Sequence, residues 1–184
     1  MPASAIVIKE IKPQRFNDRA FKKAIQDAAK EAAKGMEKDF KKTTATWQHK
    51  VTFTKIVSVM PDVEILVGTD DQIYTYVNDG TGLYGPKKKK YPIFAGIYTG
   101  KSNKKALSFQ WGGPGSYRAK TSPGKIGSTA GGPSGPMVAF PYVEHPGIKP
   151  RKFDITIQEK WESRFKRQME KAMSKAAKAS GHGR

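Results

Sequence analysis

The sequence predicts an α+β fold. It specifies one antiparallel β-sheet of about four to five strands, packed with a long N-terminal helix and a long C-terminal helix, and an extended Gly/Pro/Lys-rich loop. Three observations lead there. Near one end, Phe21, Ile25, Ala28, Ala32, Met36 and Phe40 recur at helical spacing. Near the other, Ile157, Trp161, Phe165, Met169 and Met173 fall at every fourth position and make a narrow apolar stripe. Between them, short runs of β-formers alternate with Gly, Pro and Asp clusters. At 184 residues, one domain spanning 1–184 is expected, with a long loop or arm inserted at about 83–136.

Ile6 to Lys9 suits a short strand. Asn17 or Asp18 can cap a helix that runs to about Thr43. Gly35 sits inside that helix and weakens it by ~1 kcal/mol relative to Ala. Its Lys- and Glu-rich face reads as solvated. Strands are expected within Trp47–Ser58, at Val63–Val67 and at Ile73–Asn78, where Ile-Tyr-Thr-Tyr-Val-Asn alternates. Asn78 to Gly82 then ends the third strand in a tight turn. Phe94–Thr99 and Ala106–Trp111 suit further strands, and Met137–Val143 a last one. Gly112 to Pro136 is too poor in apolar residues to offset its ordering entropy, so it reads as a flexible loop that extends from the body and is ordered by another chain.

His145-Pro146-Gly147 is a turn signal. Pro150 keeps Lys149 extended, Phe153 supplies an apolar anchor, and Asp154 is the expected N-cap of the last helix. The stretch 142–153 reads as a bracket that sets the angle between that helix and the sheet. After Ala179 the tail is expected to fray.

The formal net charge is +18 and unevenly spread. Residues 1–50 carry 12 basic and 6 acidic side chains, 51–86 carry 1 and 5, 87–140 carry 10 and 0, and 141–184 carry 11 and 5. The acid-free middle calls for a polyanion or an acidic partner surface. Lys87, Lys88, Lys89, Lys90, Lys101, Lys104, Lys105, Lys120 and Lys125 are the candidate contacts. There is no cysteine, hence no disulfide or thiolate site. No stretch reaches the ~20 apolar residues of a membrane span, and no signal-peptide core is present, so a soluble chain is expected.

No catalytic constellation is evident, so no enzyme activity, metal or cofactor is expected. His49, His145 and His182 lack metal-ligand spacing. His145 beside Glu144 reads as structural, since neighbours on an extended segment face opposite ways. Asp70-Asp71 suits a turn as well as a cation. The Gly80–Gly82 turn lacks the Lys-Ser/Thr pair and helix of a phosphate loop. Tyr84, Trp111, Tyr117, Trp161 and Phe165 are candidate subunit-interface residues, and Tyr84, Tyr91, Trp111 and Tyr117 among lysines could equally stack on bases.

Two motifs stand in order: Tyr74-Thr75-Tyr76-Val77-Asn78-Asp79-Gly80-Thr81-Gly82, then His145-Pro146-Gly147-Ile148-Lys149-Pro150-Arg151-Lys152-Phe153 before a helix. With the Lys/Ala-rich first helix they resemble the tail-completion, or neck, family of long-tailed bacteriophages, the minor tail protein Z-like and putative tail-component group. The resemblance covers roughly 17–82 and 137–179. Its structural motif residues here are Tyr76, Gly80, Thr81, Gly82, His145, Pro146, Gly147, Pro150 and Phe153. Asn78 stands where the family usually has an acid, and Lys152 where it often has Pro. The resemblance implies a structural virion protein at the head–tail joint, made in the host bacterial cytoplasm. It also implies six copies or a multiple of six, adjoining stopper or connector and tail-terminator or tail-tube proteins. The alternative is a basic nucleic-acid-binding protein, which the charge and the aromatic–lysine mixture suggest.

Overall fold

The structure, a computed structural model, describes residues 17–59, 62–98 and 105–182. The strand expected at Ile6–Lys9, Lys101 and Lys104 lie outside them. The chain is α+β. Helix α1 (Asp18–Thr43) is followed by β1 (Thr54–Ser58), β2 (Glu64–Gly68), α2 (Gln72–Asp79) and a 3-10 turn at Gly82–Tyr84. Then come β3 (Tyr91–Phe94), the single turn α3 (Ala95–Tyr98), β4 (Leu107–Gln110), β5 (Met137–Phe140), β6 (Tyr142–His145) and α4 (Phe153–Ala179).

The long helices sit where their apolar periodicity places them. Asn17 Oδ1 accepts from Ala20 N at 3.0 Å and caps α1. The two helices run antiparallel. Asn17 N, at the start of α1, reaches Ser180 Oγ at 3.4 Å, while Asp39 near its end meets Lys160 and Trp161 early in α4. Ser180 is therefore buried and bonded, and Ser180–His182 close α4 through Ser180 N→Ala176 O and His182 N→Ala177 O; the expected fraying does not begin at Ala179.

The expected single sheet is absent from the described residues. Instead there are three antiparallel pairs, β1–β2, β3–β6 and β4–β5. Pro141, which has no N–H, separates β5 from β6 where one strand was expected. Their partners β4 and β3 lie end to end along them: Gln110 faces Met137, Leu107 faces Phe140, Phe94 faces Tyr142 and Tyr91 faces His145. The two pairs follow one another along 137–145, and Ala95 N donates to Pro141 O at 3.4 Å where they adjoin. Only Tyr91–Phe94 is extended, and Ala95 begins a helical turn where a strand to Thr99 was expected.

The segment 73–78 is helical, against the expected strand. Asp71 Oδ1 accepts from Tyr74 N at 2.8 Å, an N-cap that starts a helix. Tyr74 and Asn78 are buried while Tyr76 is exposed, the four-residue spacing of a helix face. Alternating β-formers lose here because only a helix delivers Tyr74 to the core.

That core is one cluster of Ala32, Phe40, Phe53, Tyr74, Phe153, Ile157 and Trp161. Tyr74 is its hub, with ring centroids 5.3 Å from Phe53, 5.8 Å from Phe153 and 6.3 Å from Phe40. On β1–β2, the cross-strand pair Ile56 and Leu66 is exposed on the outer face.

Candidate functional site

The two sequence motifs form one docked unit. Thr81 N donates to Ile148 O at 2.9 Å, Leu83 N to Pro146 O at 2.8 Å, and Ile148 N to Thr81 Oγ1 at 3.0 Å. Arg151 N donates to Val77 O and Asn78 O, and Lys152 N to Asn78 O. The approach is too close for side chains. A Cβ on Gly82 (φ +61°) would lie 2.5 Å from Pro146 O, and one on Gly147 (φ +102°) would overlap the Thr81 carbonyl. Both glycines also hold a left-handed φ that other residues resist.

Helix α4 starts from this unit, and its cap comes from α2. Asn78 Oδ1 accepts from Phe153 N at 2.8 Å and from Asp154 N at 3.4 Å. The expected N-cap, Asp154, instead lies in the first turn, and the N-cap position is Lys152, with φ +52° and no capping side chain. Asn78 supplies across the fold the oxygen that a local cap would have supplied. A carboxylate at position 78 would accept the same two N–H groups. Phe153 is fully buried, as an anchor must be.

His145 serves the turn. Its Nδ1 accepts from Gly147 N at 3.0 Å, and burial pushes its pKa below the usual imidazole value. Tyr76 is exposed on α2, where its hydroxyl accepts from Gln72 Nε2. Pro150 packs where a Cβ on Gly80 would otherwise reach it. Lys149 Nζ stands 5.5 Å from the ring centre of Tyr84.

The Gly/Pro-rich segment does not simply extend outward as expected. Arg118 and Gly132 exchange backbone hydrogen bonds, and Thr129 N donates to Lys120 O at 2.7 Å. Thr121 is buried and accepts from Arg151 Nε at 3.2 Å, Gly124 N donates to Arg151 O, and Ile126 packs on the core. Backbone hydrogen bonds and one isoleucine fold the segment back, where composition suggested too little apolar content.

Lys87, Lys88, Lys89, Lys90, Lys105 and Lys125 are exposed, while Lys120 is half-buried. No described acid forms an ion pair with any of them. Tyr84, Trp111 and Tyr117 are exposed at 38%, 43% and 64%. Trp161 is not an interface candidate: its ring lies inside this chain, and Nε1 donates to Asp39 Oδ2 at 2.9 Å. Phe165 is half-buried beside it against the core. Asp39 is buried yet kept ionised: burial works to raise its pKa, but Lys160, Trp161 and Lys42 outweigh that and hold it below the usual value. Glu37 is held at about 2, chiefly by Lys41 and Lys55. His49 Nε2 and Asp71 Oδ2 lie 2.5 Å apart, which uses Asp71 within the chain. Among the described residues no three His, Cys, Asp or Glu side chains converge as metal ligands, and no helix is long and apolar enough to cross a membrane.

Sequence reasoning noticed Asn78 only as a departure from a motif, and did not single out Asp39, Thr121 or Arg151. In a chain of 34 basic residues nothing local marks one arginine as buried. No family model, no curated protein and no solved structure matches this chain.

Proposed function

We propose that the chain is a structural component of the head–tail joint of a long-tailed bacteriophage, a neck or tail-completion protein that makes tails competent to join DNA-filled heads. One observation carries the reading. The two motifs on which the family resemblance rests, 65 residues apart between Gly80 and His145, are bonded to each other as one unit that launches α4. Their residues act through backbone geometry, capping and packing, which is the work of a scaffold that must present surfaces at fixed angles. Copies in six or a multiple of six would surround the tail axis through heterologous contacts that close by rotation. Stopper or connector and terminator or tube proteins would lie on either side.

A second reading, a nucleic-acid-binding protein, draws on the exposed run Lys87–Lys90 beside exposed Tyr91. Complementation separates the two. In a phage lacking this protein, the Lys87–Lys90→Gln variant should leave filled heads and complete tails unjoined if the run meets an acidic neighbour. Failure to retain DNA, with a flatter salt dependence of DNA affinity in solution, supports the second reading instead. Normal infectious particles would make the run a solvated loop. Filled heads joined to tails in the complete absence of the protein would sink the neck reading.

A further inference from the structure

We propose that Arg151 forms an ion pair with a carboxylate supplied by a second copy of this chain, so that the turn pair of one copy receives the acidic β1–β2 ribbon of the next. Arg151 is 8% exposed and is the one buried basic residue among those described. A guanidinium has five N–H donors and cannot shed its charge. Here Nε donates to the neutral hydroxyl of Thr121, and the remaining guanidinium nitrogens, near Tyr117, are not sealed from solvent, so a partner can reach them. No described carboxylate reaches it. The buried acid of the fold is treated in the opposite way, since Asp39 has two ammonium groups and an indole N–H. A buried charge with no counter-charge is costly, which is why such groups are found paired.

The two segments that meet at Arg151, 117–132 and 145–153, contain no acid at all. Asp79 nearby is bonded to Asn78 Nδ2, and Asp154 is exposed on α4. No carboxylate of the described residues supplies the counter-charge. With 8% of the residue exposed, the Arg151 guanidinium offers a small contact area that a slim Asp or Glu side chain can meet. A nucleic-acid phosphate, fixed in a bulky backbone, meets the exposed lysines first. The chain itself carries suitable donors: Asp62, Glu64 and Asp70 are exposed on or beside β1–β2, in a segment of 5 acids and 1 base, and no described cation pairs with them. Exposed Ile56 and Leu66 on the same ribbon add an apolar contact. Such a contact is head-to-tail, so it can propagate around a ring.

The inference rests on the assembly reading above, but its test needs only the isolated protein. Sedimentation of wild type, Arg151→Met and the triple variant D62N/E64Q/D70N reads self-association directly. Wild type should associate, and each variant alone should associate at least ~30-fold more weakly, the effect of removing one partner of a buried charge pair. An equimolar mixture of the two variants retains one intact arginine site and one intact acidic ribbon, so it should form dimers and nothing larger. A monomeric wild type, an Arg151→Met that assembles like wild type, or a mixture that stays monomeric would each overturn the proposal. Circular dichroism checks the fold, and Arg151→Lys provides a second variant. If both Arg151 variants unfold, the residue serves the fold alone and the proposal fails. Loss of the phage phenotype with head-to-tail association intact would sink only the neck reading.

Discussion

Gly35 of α1 lies directly beneath the indole of Trp161 of α4, so that a Cβ on Gly35 would fall inside the envelope of Cη2 and Cζ2. The helix accepts the propensity cost of a glycine because the glycine lets the two helices close around the largest side chain of the core. Trp161 then reaches Asp39, one helical turn further along α1. In an exposed helix Gly→Ala stabilises by ~1 kcal/mol. Here Gly35→Ala should instead destabilise by about 1–3 kcal/mol, as overpacking does. Urea unfolding measures the sign, and a more stable Gly35→Ala protein would refute this packing.

Asn78→Ala removes the side-chain cap that α4 has among the described residues and leaves Phe153 N–H buried without its acceptor. A loss of about 1–3 kcal/mol is expected. Asn78→Asp keeps the acceptor, places a negative charge at a helix N-terminus, and should recover most of that loss at neutral pH. Denaturant midpoints of the three proteins check the order. Equal losses for Ala and Asp would show that the amide group, through its Asp79 contact, matters more than the cap.

The Tyr74 hydroxyl is buried without a well-formed hydrogen bond among the described residues, although the Thr43 hydroxyl, which donates to Phe40 O at 2.6 Å, lies close enough to act on it. Burial accordingly pushes the phenol pKa well above its usual value. Tyr74→Phe keeps every ring contact and removes the unmet polar group. It should therefore raise stability, by about 1 kcal/mol or more, readable as a higher urea midpoint with an unchanged slope. A lower midpoint would mean that the hydroxyl bonds to Thr43 after all.

The parts of this fold that could be read from sequence are those whose signal repeats. Phe21 to Phe40 and Ile157 to Phe165 mark their helix faces several times over, and both helices form as that spacing requires. The short middle elements carry one or two signals each. In 73–78 the β-forming character of Ile, Tyr, Thr and Val suggested a strand, whereas the decisive events are the Asp71 cap and the burial of Tyr74 against Phe53 and Phe153, one of them 79 residues away. The turn pair was visible as two separate motifs. That they touch was not, since the contact depends on Thr81 meeting Ile148. Arg151 left no local mark, because burial is decided by a segment that folds back from residue 121.

His145 provides a test of the turn pair that uses pH rather than truncation. Its Nδ1 is an acceptor for Gly147 N, which requires a neutral ring with the proton on Nε2. Protonation would convert that acceptor to a donor facing another N–H. Burial lowers the folded pKa from its ordinary value of 6.5, so below that pH the unfolded chain binds the proton more readily than the folded one. The stabilisation is complete above pH 6.5 and falls away as pH drops through the lower folded pKa. His145→Asn offers a neutral oxygen that can accept from the N–H two residues on, as in an Asx turn, and does not titrate. Its stability should match wild type near neutrality and exceed it in mild acid. The difference between the two proteins, followed by urea unfolding from pH 7.5 to 5, isolates this group from every other carboxylate and imidazole in the chain. A difference that does not change with pH would place the Gly147 turn under the control of Pro146 and glycine geometry alone.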